Sequence, residues 1–294
     1  MSPRRQDHEP GSGRGLGGFL RSLLAGIPWS ERAEGRQKRR FPAPPGGVLR
    51  IDNANGRTRV MGEDRRDVEV GICKSARAES VEQAERLVRA IRLLAREDGA
   101  GELELEVEIP GRWNRRGRAD LDERVPRELA VQVSASNGRL RIEGLRGAVR
   151  ARSANGAVRI VDVIGDVEVH TSNAKVHGQQ TCGRMLARSS NGKIELEEHR
   201  GSVDAATSNG TIPCKLVEMG KEGAVLATSN GRISLELPAE ADADVDIRVD
   251  NGLIRCTRSL SSQSRERSGR LKGALGRGGV PIRLRASNGT ISLH

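Results

Sequence analysis

Residues 131–214 are built from one short motif that recurs every 18 residues. In blocks of that length they read VQVSASNGRLRIEGLRGA (131–148), VRARSANGAVRIVDVIGD (149–166), VEVHTSNAKVHGQQTCGR (167–184), MLARSSNGKIELEEHRGS (185–202) and VDAATSNGTIPC (203–214). Each block carries Asn at its seventh position, and Gly follows that Asn in all blocks but one. A fixed internal period of this kind predicts an architecture of stacked, equivalent units.

The same Asn extends beyond these blocks in both directions. The complete set is Asn55, Asn137, Asn155, Asn173, Asn191, Asn209, Asn230, Asn251 and Asn288. From Asn137 onward the spacings are 18, 18, 18, 18, 21, 21 and 37 residues, and only Asn173 is followed by Ala in place of Gly. Four equal steps indicate that one structural unit is being repeated along the chain.

The residues on both sides of each Asn alternate between apolar and polar side chains. Positions six and four before the Asn are apolar in every copy, as in Val149 and Ala151. Positions three and five after it are mostly Val, Ile, Leu or Cys, as in Val158 and Ile160. A period of two predicts short strands with one buried face. Each copy is therefore predicted to be a strand, an Asn-Gly corner and a second strand, with four apolar columns facing the interior.

Independent β-hairpins and a β-solenoid both fit this pattern, because Asn-Gly is also the strongest two-residue hairpin signal. A hairpin this short cannot bury its apolar face alone, whereas identical columns at constant spacing allow successive coils to stack. We therefore predict an all-β, single-domain β-solenoid with rungs of 18 to 21 residues. The Gly is expected to supply a positive φ at the corner. The Asn set is assigned a structural role as a hydrogen-bonded ladder, with a ligand-binding row of amides as the alternative.

An insertion, residues 73–124, separates the first two Asn residues. It is predicted to contain a helix over 81–97, because a capping box at Ser80 precedes apolar residues at helical spacing. Residues 102–109 alternate as a strand, and 110–124 are predicted to form a charged loop. The helix is expected to cover an end or a flank of the solenoid. At the other end, residues 264–279 are expected either to fold over the last rung or to leave an exposed edge that pairs with another molecule.

Residues 1–46 are predicted to be a disordered basic tail, and residues 47–294 the solenoid domain. Within the tail, the apolar stretch 16–29 reads LGGFLRSLLAGIPW. It is interpreted as a solvated linker, with contact to an anionic membrane surface or an atypical export signal as alternatives. No run of 18 apolar residues exists, so no transmembrane helix is predicted. We expect a cytoplasmic location or a peripheral one on the cytoplasmic membrane, with export as the open alternative.

Aromatic side chains are almost absent from the 294 residues. They are Phe19, Trp29, Phe41 and Trp113, with no Tyr. Sites that stack bases or sugars on aromatic rings are therefore disfavoured over the last 180 residues, and nucleic acid is a disfavoured partner. The formal net charge is +11, which favours anionic partners.

No motif for catalysis or for binding a metal or cofactor is found. The four cysteines have no zinc or CxxC spacing and are interpreted as core residues. The histidines, among them His170, His177 and His199, are interpreted as surface residues. The acidic residues do not share one outward column, so no repeated carboxylate pair is available for acid and base catalysis. We predict no catalytic residue, no metal, no cofactor and no small-molecule substrate, and hence a protein that is not an enzyme.

The remaining signal is a row of basic residues at outward positions two and four after the Asn. The residues proposed to bind an anion are Arg139, Arg141, Arg159, Lys175 and Lys193. Stacked in register they form a stripe that suits phosphates, anionic lipid or an acidic polymer. Solubilising side chains on a solvated face are the simpler interpretation.

Several segments resemble the bacterial putative-adhesin domain family, a domain family of unknown function. They are LRIDNANGRTRVMG, VPRELAVQVSASNGRLRIEG, VRARSANGAVRI, ARSSNGKIEL, AATSNGTI, LATSNGRISLELP and LRASNGTISL. The resemblance spans about residues 47–294. It implies a β-solenoid found in cytoplasmic, membrane-linked or envelope proteins, without an established catalytic activity.

Three functions follow from these observations. The first is a non-enzymatic β-solenoid scaffold or interaction protein, with a protein partner or self-association. The second is an anion-binding module that uses the basic stripe on a membrane surface or an acidic polymer. The third is a self-assembling filament or oligomer formed by pairing of end rungs.

Overall fold

The computed structural model describes residues 31–110, 117–266 and 269–294. Its strands form one continuous sheet that coils on itself, accompanied by a short helix. The first elements are β1 (Glu31–Pro42), β2 (Val48–Asn55), β3 (Thr58–Glu63), β4 (Asp67–Ala78), α1 (Val81–Ala90), β5 (Arg92–Glu97), β6 (Leu103–Glu108) and β7 (Gly117–Pro126).

The repetitive part of the chain supplies the remaining strands, and the longest of them turn corners and run along more than one side of the coil. They are β8 (Ala130–Asn137), β9 (Leu140–Glu143), β10 (Val149–Ser153), β11 (Val158–Ile164), β12 (Val167–Thr171), β13 (Val176–Ser189), β14 (Ile194–Asn209), β15 (Ile212–Glu236), β16 (Ala243–Cys256), β17 (Ser261–Glu266), β18 (Arg270–Leu275) and β19 (Val280–Leu293).

Successive rungs pair in parallel with a constant register. Val149 lies between Val131 and Val167 on the strands that precede the Asn. After the corner, Val158 lies in the same way between Leu140 and Val176. From Asn137 to Asn209 each step along the stack is thus one 18-residue repeat, and the prediction of an all-β solenoid is confirmed.

The stacking order departs from the chain order at the N-terminal end. β2 lies between β6 and β8, and β3 lies between β7 and β9. The insertion therefore supplies the outermost rung, and the rung of Asn55 is second. β5 and β4 cover that outermost rung by antiparallel pairing with β6 and β7.

The C-terminal end repeats this arrangement. β19 is inserted between β15 and β16, so the rung of Asn288 precedes the rung of Asn251 in the stack. β18 then pairs antiparallel with residues 243–248 of β16, and β17 pairs with β18. Of residues 264–279, predicted either to fold over this end or to leave an edge, residues 270–275 cover half of the last rung.

The interior is filled by the four predicted columns. Val149, Ala151, Val158 and Ile160 are each no more than 1% exposed, and equivalent residues of the other rungs join them in one continuous cluster. On the outermost C-terminal rung Ile254 and Cys256 are only partly buried. Burial of apolar area at about 25 cal/mol per Å² makes this continuous core the main source of stability.

The Asn side chains form a ladder on the outside of the corner. Each Nδ2 donates to the Oδ1 of the neighbouring rung at 2.8–3.1 Å. The ladder runs through seven such bonds and joins Asn137, Asn155, Asn173, Asn191, Asn209, Asn230, Asn288 and Asn251 in that spatial order. Every bond points toward the N-terminal end of the stack. Asn55 instead donates to the carbonyl of Gly117 at 2.8 Å.

Glycine is needed at the corner for two reasons. The predicted positive φ is present at four corner glycines, with values of 143–159° at Gly56, Gly231, Gly252 and Gly289, and is absent at the other four, Gly156 among them. A Cβ built on Gly156 would lie 1.5 Å from the carbonyl oxygen of Gly138 in the neighbouring rung. The absence of a side chain therefore allows the close approach of stacked backbones at every corner, and the conformational freedom of Gly is used at four of them.

A second corner follows seven residues after the Asn. Asp162, Gln180 and Glu198 have φ values of 51–55°, in the left-handed region, and Gly144 takes φ 71° at the equivalent position. Just beyond this corner a fifth inward column begins. It contains Leu145, Val163, Thr181 and His199, all buried. The sequence analysis missed this column because it is shorter and partly polar.

The predicted helix over 81–97 is wrong in its second half. Helix α1 begins as expected, with the Ser80 hydroxyl accepting from the Gln83 amide, and it ends at Ala90. Residues 92–97 are strand β5, in which Leu93 pairs with Val107. The free edge of β6 needs a hydrogen-bonding partner, and that tertiary demand overrides the helical spacing.

The helix does not cover an end of the core. It packs against β1 and β4, where Ala84, Leu87 and Val88 form a small separate cluster with Ala76 and Ala78. β1 and β4 form a two-stranded ribbon next to the outermost rung. The helix covers the outer face of this ribbon. This is one of the two positions that the sequence analysis proposed for it.

The predicted disordered tail over 1–46 is wrong for residues 31–42. These residues form β1, which pairs along its whole length with β4. The basic residues assigned to the tail are ordered there, and Lys38 and Arg40 form ion pairs with Glu69 at 2.8 and 2.9 Å. The apolar stretch 16–29 lies outside the described residues.

The predicted charged loop over 110–124 is also partly wrong. Residues 117–126 form β7, and the alternation of Ala119, Leu121, Glu123 and Val125 places these side chains inside. Glu123 stands at an inward position of β7, so the sequence lacks a continuous apolar alternation there and predicts a loop in place of the strand. In the part of the chain that the structure describes, no helix has the length and apolar character required to cross a membrane.

Replacement of a corner glycine tests the close stacking. Gly156→Ala places a methyl group against the Gly138 carbonyl, and we expect it to lower the free energy of unfolding by about 2 kcal/mol or more. Urea denaturation measures the change. Gly99→Ala is the matched control, because a Cβ at Gly99 meets no atom within 4 Å. Equal losses from the two variants would contradict the stacking argument.

Glu123 gives a second prediction. It is fully buried, neither carboxylate oxygen has a hydrogen-bond partner, and burial followed by the charge of Asp122 raises its pKa well above 4.5. The folded state therefore holds a proton that the unfolded state releases, so this residue reduces stability as pH rises above 4.5, by about 1.4 kcal/mol per pH unit.

We expect Glu123→Leu to raise the free energy of unfolding, with a gain that grows between pH 5 and pH 7. Urea denaturation at both pH values checks this. The control is Glu108→Gln, a change at an exposed residue of the neighbouring strand β6. A gain that does not vary with pH would mean that Glu123 is not protonated in the folded protein.

Candidate functional site

Two outer faces of the solenoid carry the side chains that could contact another molecule. The stripe face is defined by the outward residues two, four and six positions after each Asn. The groove face is defined by the outward residues one, three and five positions before it. The Asn ladder separates the two faces along the whole stack.

The stripe face contains the predicted anion-binding residues, and parallel pairing places several of them on adjacent rungs. Arg141 lies between Arg59 and Arg159, and His177 lies between Arg159 and Glu195. Side-chain partners then reduce the free charge. Arg59 and Arg141 both contact Glu143, at 2.5 and 2.7 Å. Glu143 is one of the two acidic residues on this face that bind more than one cation.

Glu195 is the second such residue. Its carboxylate accepts from Lys175, from Lys193 at 2.5 Å and from His177 at 3.1 Å. Burial alone would raise the pKa of Glu195. The hydrogen bonds from Lys175, Lys193 and His177 outweigh this effect and lower the pKa to about 2. Lys175 and Lys193, both predicted to bind an anion, are therefore engaged by a carboxylate of the protein itself.

Arg159 and Arg139 complete the predicted set. Arg159 donates to the Gln179 amide oxygen at 3.1 Å. Arg139 is exposed and, among the described residues, has no ion-pair partner. Glu143 and Glu195 thus neutralise Arg59, Arg141, Lys175 and Lys193, which favours a solvated surface at these rungs, whereas Arg139 and Arg159 have no carboxylate in ion-pair distance among the described residues.

One group on this face has the composition of a metal site. Donor atoms of His177, Glu195 and Glu197 lie within 4.8 Å of one another. Two lysine ammonium groups already occupy the Glu195 carboxylate, and a divalent cation would have to approach them closely. The geometry therefore favours the ion-pair cluster over a metal.

The groove face carries a different arrangement, which the sequence analysis did not identify. Its central column is the residue three positions before each Asn, and strand pairing fixes the order along the stack. In spatial order the residues are Asp52, Ser134, Arg152, His170, Arg188, Ala206, Ala227, Arg285 and Arg248. Basic residues thus flank a central pair of alanines.

Two concave regions follow this column and meet at Arg188 and Ser189. One has a volume of about 490 Å³ and lies over Ala206 and Ala227, between Arg188 and Arg285. The other has a volume of about 480 Å³ and extends from Arg188 past His170 and Arg152 to Asp52. Because they share residues, they form one continuous groove along the stack, here called the axial groove.

The arginines of the axial groove differ in their partners. Arg188 contacts Asp204 at 2.6 Å and Arg248 contacts Asp250 at 3.1 Å. Within the described ranges, Arg152 and Arg285 have no carboxylate in ion-pair distance. Both are exposed. Arg152 lies two rungs in from Asp52, the residue at the N-terminal end of the groove, and Arg285 lies beside Arg248 at the other end, where it interacts electrostatically with Asp246.

A row of serine hydroxyls borders the groove one position before the Asn. The row contains Ser136, Ser172, Ser190, Ser208, Ser229 and Ser287, and all six are exposed. None of these hydroxyls makes a hydrogen bond to another described residue. They form a line of free donors and acceptors that repeats at the rung spacing, about 4.8 Å.

The signal for this groove was present in the sequence. Arg152, His170 and Arg188 stand at the same position of consecutive repeats, and Ser precedes most of the Asn residues. The basic residues after the Asn form the more regular row, and the position of Arg285 beside Ala227 depends on the exchange of the last two rungs, which a local sequence pattern does not reveal.

The histidines occupy three different environments. His170 contacts Glu168 at 2.9 Å on the groove face, and His177 belongs to the Glu195 cluster. His199, interpreted from sequence as a surface residue, is instead 1% exposed and lies 2.8 Å from the Thr181 hydroxyl. Burial lowers the pKa of His199, so this residue serves the core as a neutral side chain.

A family model described as Toastrack DUF4097 matches residues 129–294. None of the curated proteins matches the chain. Similar solved structures include a putative adhesin from Parabacteroides distasonis, with 9% identity and a TM-score of 0.47, covering 88% of this chain and 97% of that one. Another is a putative adhesin from Parabacteroides merdae, with 9% identity and a TM-score of 0.44, covering 90% of this chain and 96% of that one.

Proposed function

Since the chain belongs to the Toastrack DUF4097 family, we propose that it is a non-enzymatic scaffold that binds a partner along the outer face of its solenoid. The observation that supports this most directly is the constant parallel register. It places equivalent outward side chains in straight rows, as with Arg152, His170 and Arg188. Such rows suit recognition of an extended partner by repeated contacts.

The chemistry of the stripe face supports binding without turnover. Glu143 and Glu195 are held by two and three basic groups, and the pKa of Glu195 is about 2. A general acid or base needs a pKa near the working pH. Glu195 therefore serves as a fixed counter-ion. The same pairing argues against the stripe as the main anion-binding surface.

Isothermal titration calorimetry tests this function with three anionic probes: vesicles that contain an anionic phospholipid, duplex DNA and polygalacturonate. We expect a saturable heat of binding for one of them, and recovery of that probe chemically unchanged. Sustained heat flow together with a new product would identify an enzyme. Absence of binding to all three would refute recognition of an extended anion.

A second function, self-association, is favoured by the last rung. β18 pairs with residues 243–248 of β16, whereas residues 251–256 pair, among the described residues, on one side only, with β19. Leu253 on this free edge is 59% exposed. An unpaired edge with an exposed apolar side chain is a template for another strand. The opposite end of the stack is covered by β4 and β5, so this edge favours a closed pair over a filament.

Leu253→Lys tests that pairing, since charge on an edge strand opposes strand addition. In sedimentation velocity over a hundredfold range of concentration, we expect the unmodified chain to form a dimer and the variant to remain monomeric. Thr290→Lys, at the neighbouring rung that is paired on both sides, is the control. A monomer at every concentration would eliminate self-association through this edge.

A further inference from the structure

We propose that the axial groove binds a linear acidic polysaccharide, with carboxylates on the arginines and sugar hydroxyls on the serine row. This inference rests on the proposed function and specifies its ligand. The site is the part of the groove over Ala206 and Ala227, between Arg188 and Arg285.

The shape of the groove selects an extended, narrow ligand. Ala206 and Ala227 form its floor on two adjacent rungs, with Arg188 and Arg285 on the rungs to either side. The two arginines are three rung spacings apart, about 14 Å. The small alanine side chains leave the backbone of the coil open to close approach. A single polymer chain can lie along this strip parallel to the solenoid axis.

Charge selects an anion and sets where its charged groups lie. Arg285 is exposed and lacks a carboxylate partner among the described residues, so it can form a bidentate pair with a ligand carboxylate. Arg188 shares its guanidinium with Asp204 and retains capacity for a further acceptor. Arg248, beside Arg285 on the last rung, is paired with Asp250, which also lines the groove, so Arg285 carries most of the positive charge at this end. The floor between the two ends is uncharged, so the ligand needs to place carboxylates on guanidinium groups only at the two ends.

The hydroxyl row selects among polyanions. Ser208, Ser229 and Ser287 line the same part of the groove and can each donate and accept one hydrogen bond with a sugar hydroxyl. The lining contains no aromatic residue, so bases of a single-stranded nucleic acid would find no stacking partner. A bilayer presents a broad plane and cannot enter a narrow concave strip. An acidic polysaccharide satisfies both the arginines and the hydroxyls.

Fluorescence anisotropy with a labelled oligogalacturonate tests the proposal on the full chain. We expect saturable binding that weakens with added salt, and much weaker binding of a neutral galactose oligomer of the same length. Arg285→Gln is expected to weaken oligogalacturonate binding by roughly tenfold, as for the loss of one charged hydrogen bond. Ala227→Leu, which fills the floor, is expected to weaken it by a similar factor.

Arg232→Gln is the matched control, because it removes the same charge from an exposed position on the stripe face. We expect its affinity to stay close to that of the unmodified chain. Circular dichroism of each variant verifies the fold, and because Arg285 is exposed, we expect its replacement to leave the fold intact.

Three outcomes would overturn the proposal. They are no binding of oligogalacturonate, equal losses for Arg285→Gln and Arg232→Gln, and equal binding of the neutral oligomer. Vesicles or DNA that bind in an Arg285-dependent way, when oligogalacturonate does not, would assign the groove to another ligand and leave the scaffold function standing. Cleavage of the bound oligomer would instead refute the scaffold function and keep the groove as its binding site.

Discussion

The close contact between corner backbones is the constraint on which the rest of the molecule depends. At Gly156 the neighbouring carbonyl oxygen occupies the space that a Cβ would need. Rungs can therefore stack at the normal strand spacing through the corner itself, and the parallel register continues without a break from one side of the coil to the next. That register creates the apolar columns, and the columns create a core made mainly of aliphatic side chains. It also aligns the outward side chains, so the same contact that stabilises the fold produces the groove.

Both ends of the stack have the same rung order relative to the chain. An out-of-order rung is inserted second from the end, as β2 is between β6 and β8 and as β19 is between β15 and β16. The central rungs form contacts between residues 18 positions apart, whereas the terminal ones close loops that are two or more times longer, such as Ile282 with Val245 and Leu49 with Val131. Long loops cost more entropy to close. The two ends therefore depend on the central rungs as a template.

The sequence was sufficient to predict the coil and its interior, because the burial pattern has a strict period of two around a fixed Asn. Val149 and Val158 could be placed inside without knowledge of any other contact. Features decided by partners distant in sequence could not be predicted. Residues 92–97 continue a helical spacing and become a strand only because β6 needs a neighbour, and β1 exists only because β4 has a free edge. Glu123 concealed β7, since an ionisable residue in an apolar column looks like an exposed position. The candidate groove depended on the exchange of the last two rungs, which no local pattern records.

The hydrogen bonds of the Asn ladder give the solenoid a dipole along its axis. Its seven side-chain bonds all run the same way, so their small dipoles add along the axis as peptide dipoles do in a helix. The Oδ1 of Asn251 ends the series and accepts no hydrogen bond from the described part of the chain. Two copies that met through this end would bring two like acceptors together, and one amide would have to rotate before they could join. Any assembly through this end of the stack therefore has to supply a hydrogen-bond donor to the Asn251 Oδ1.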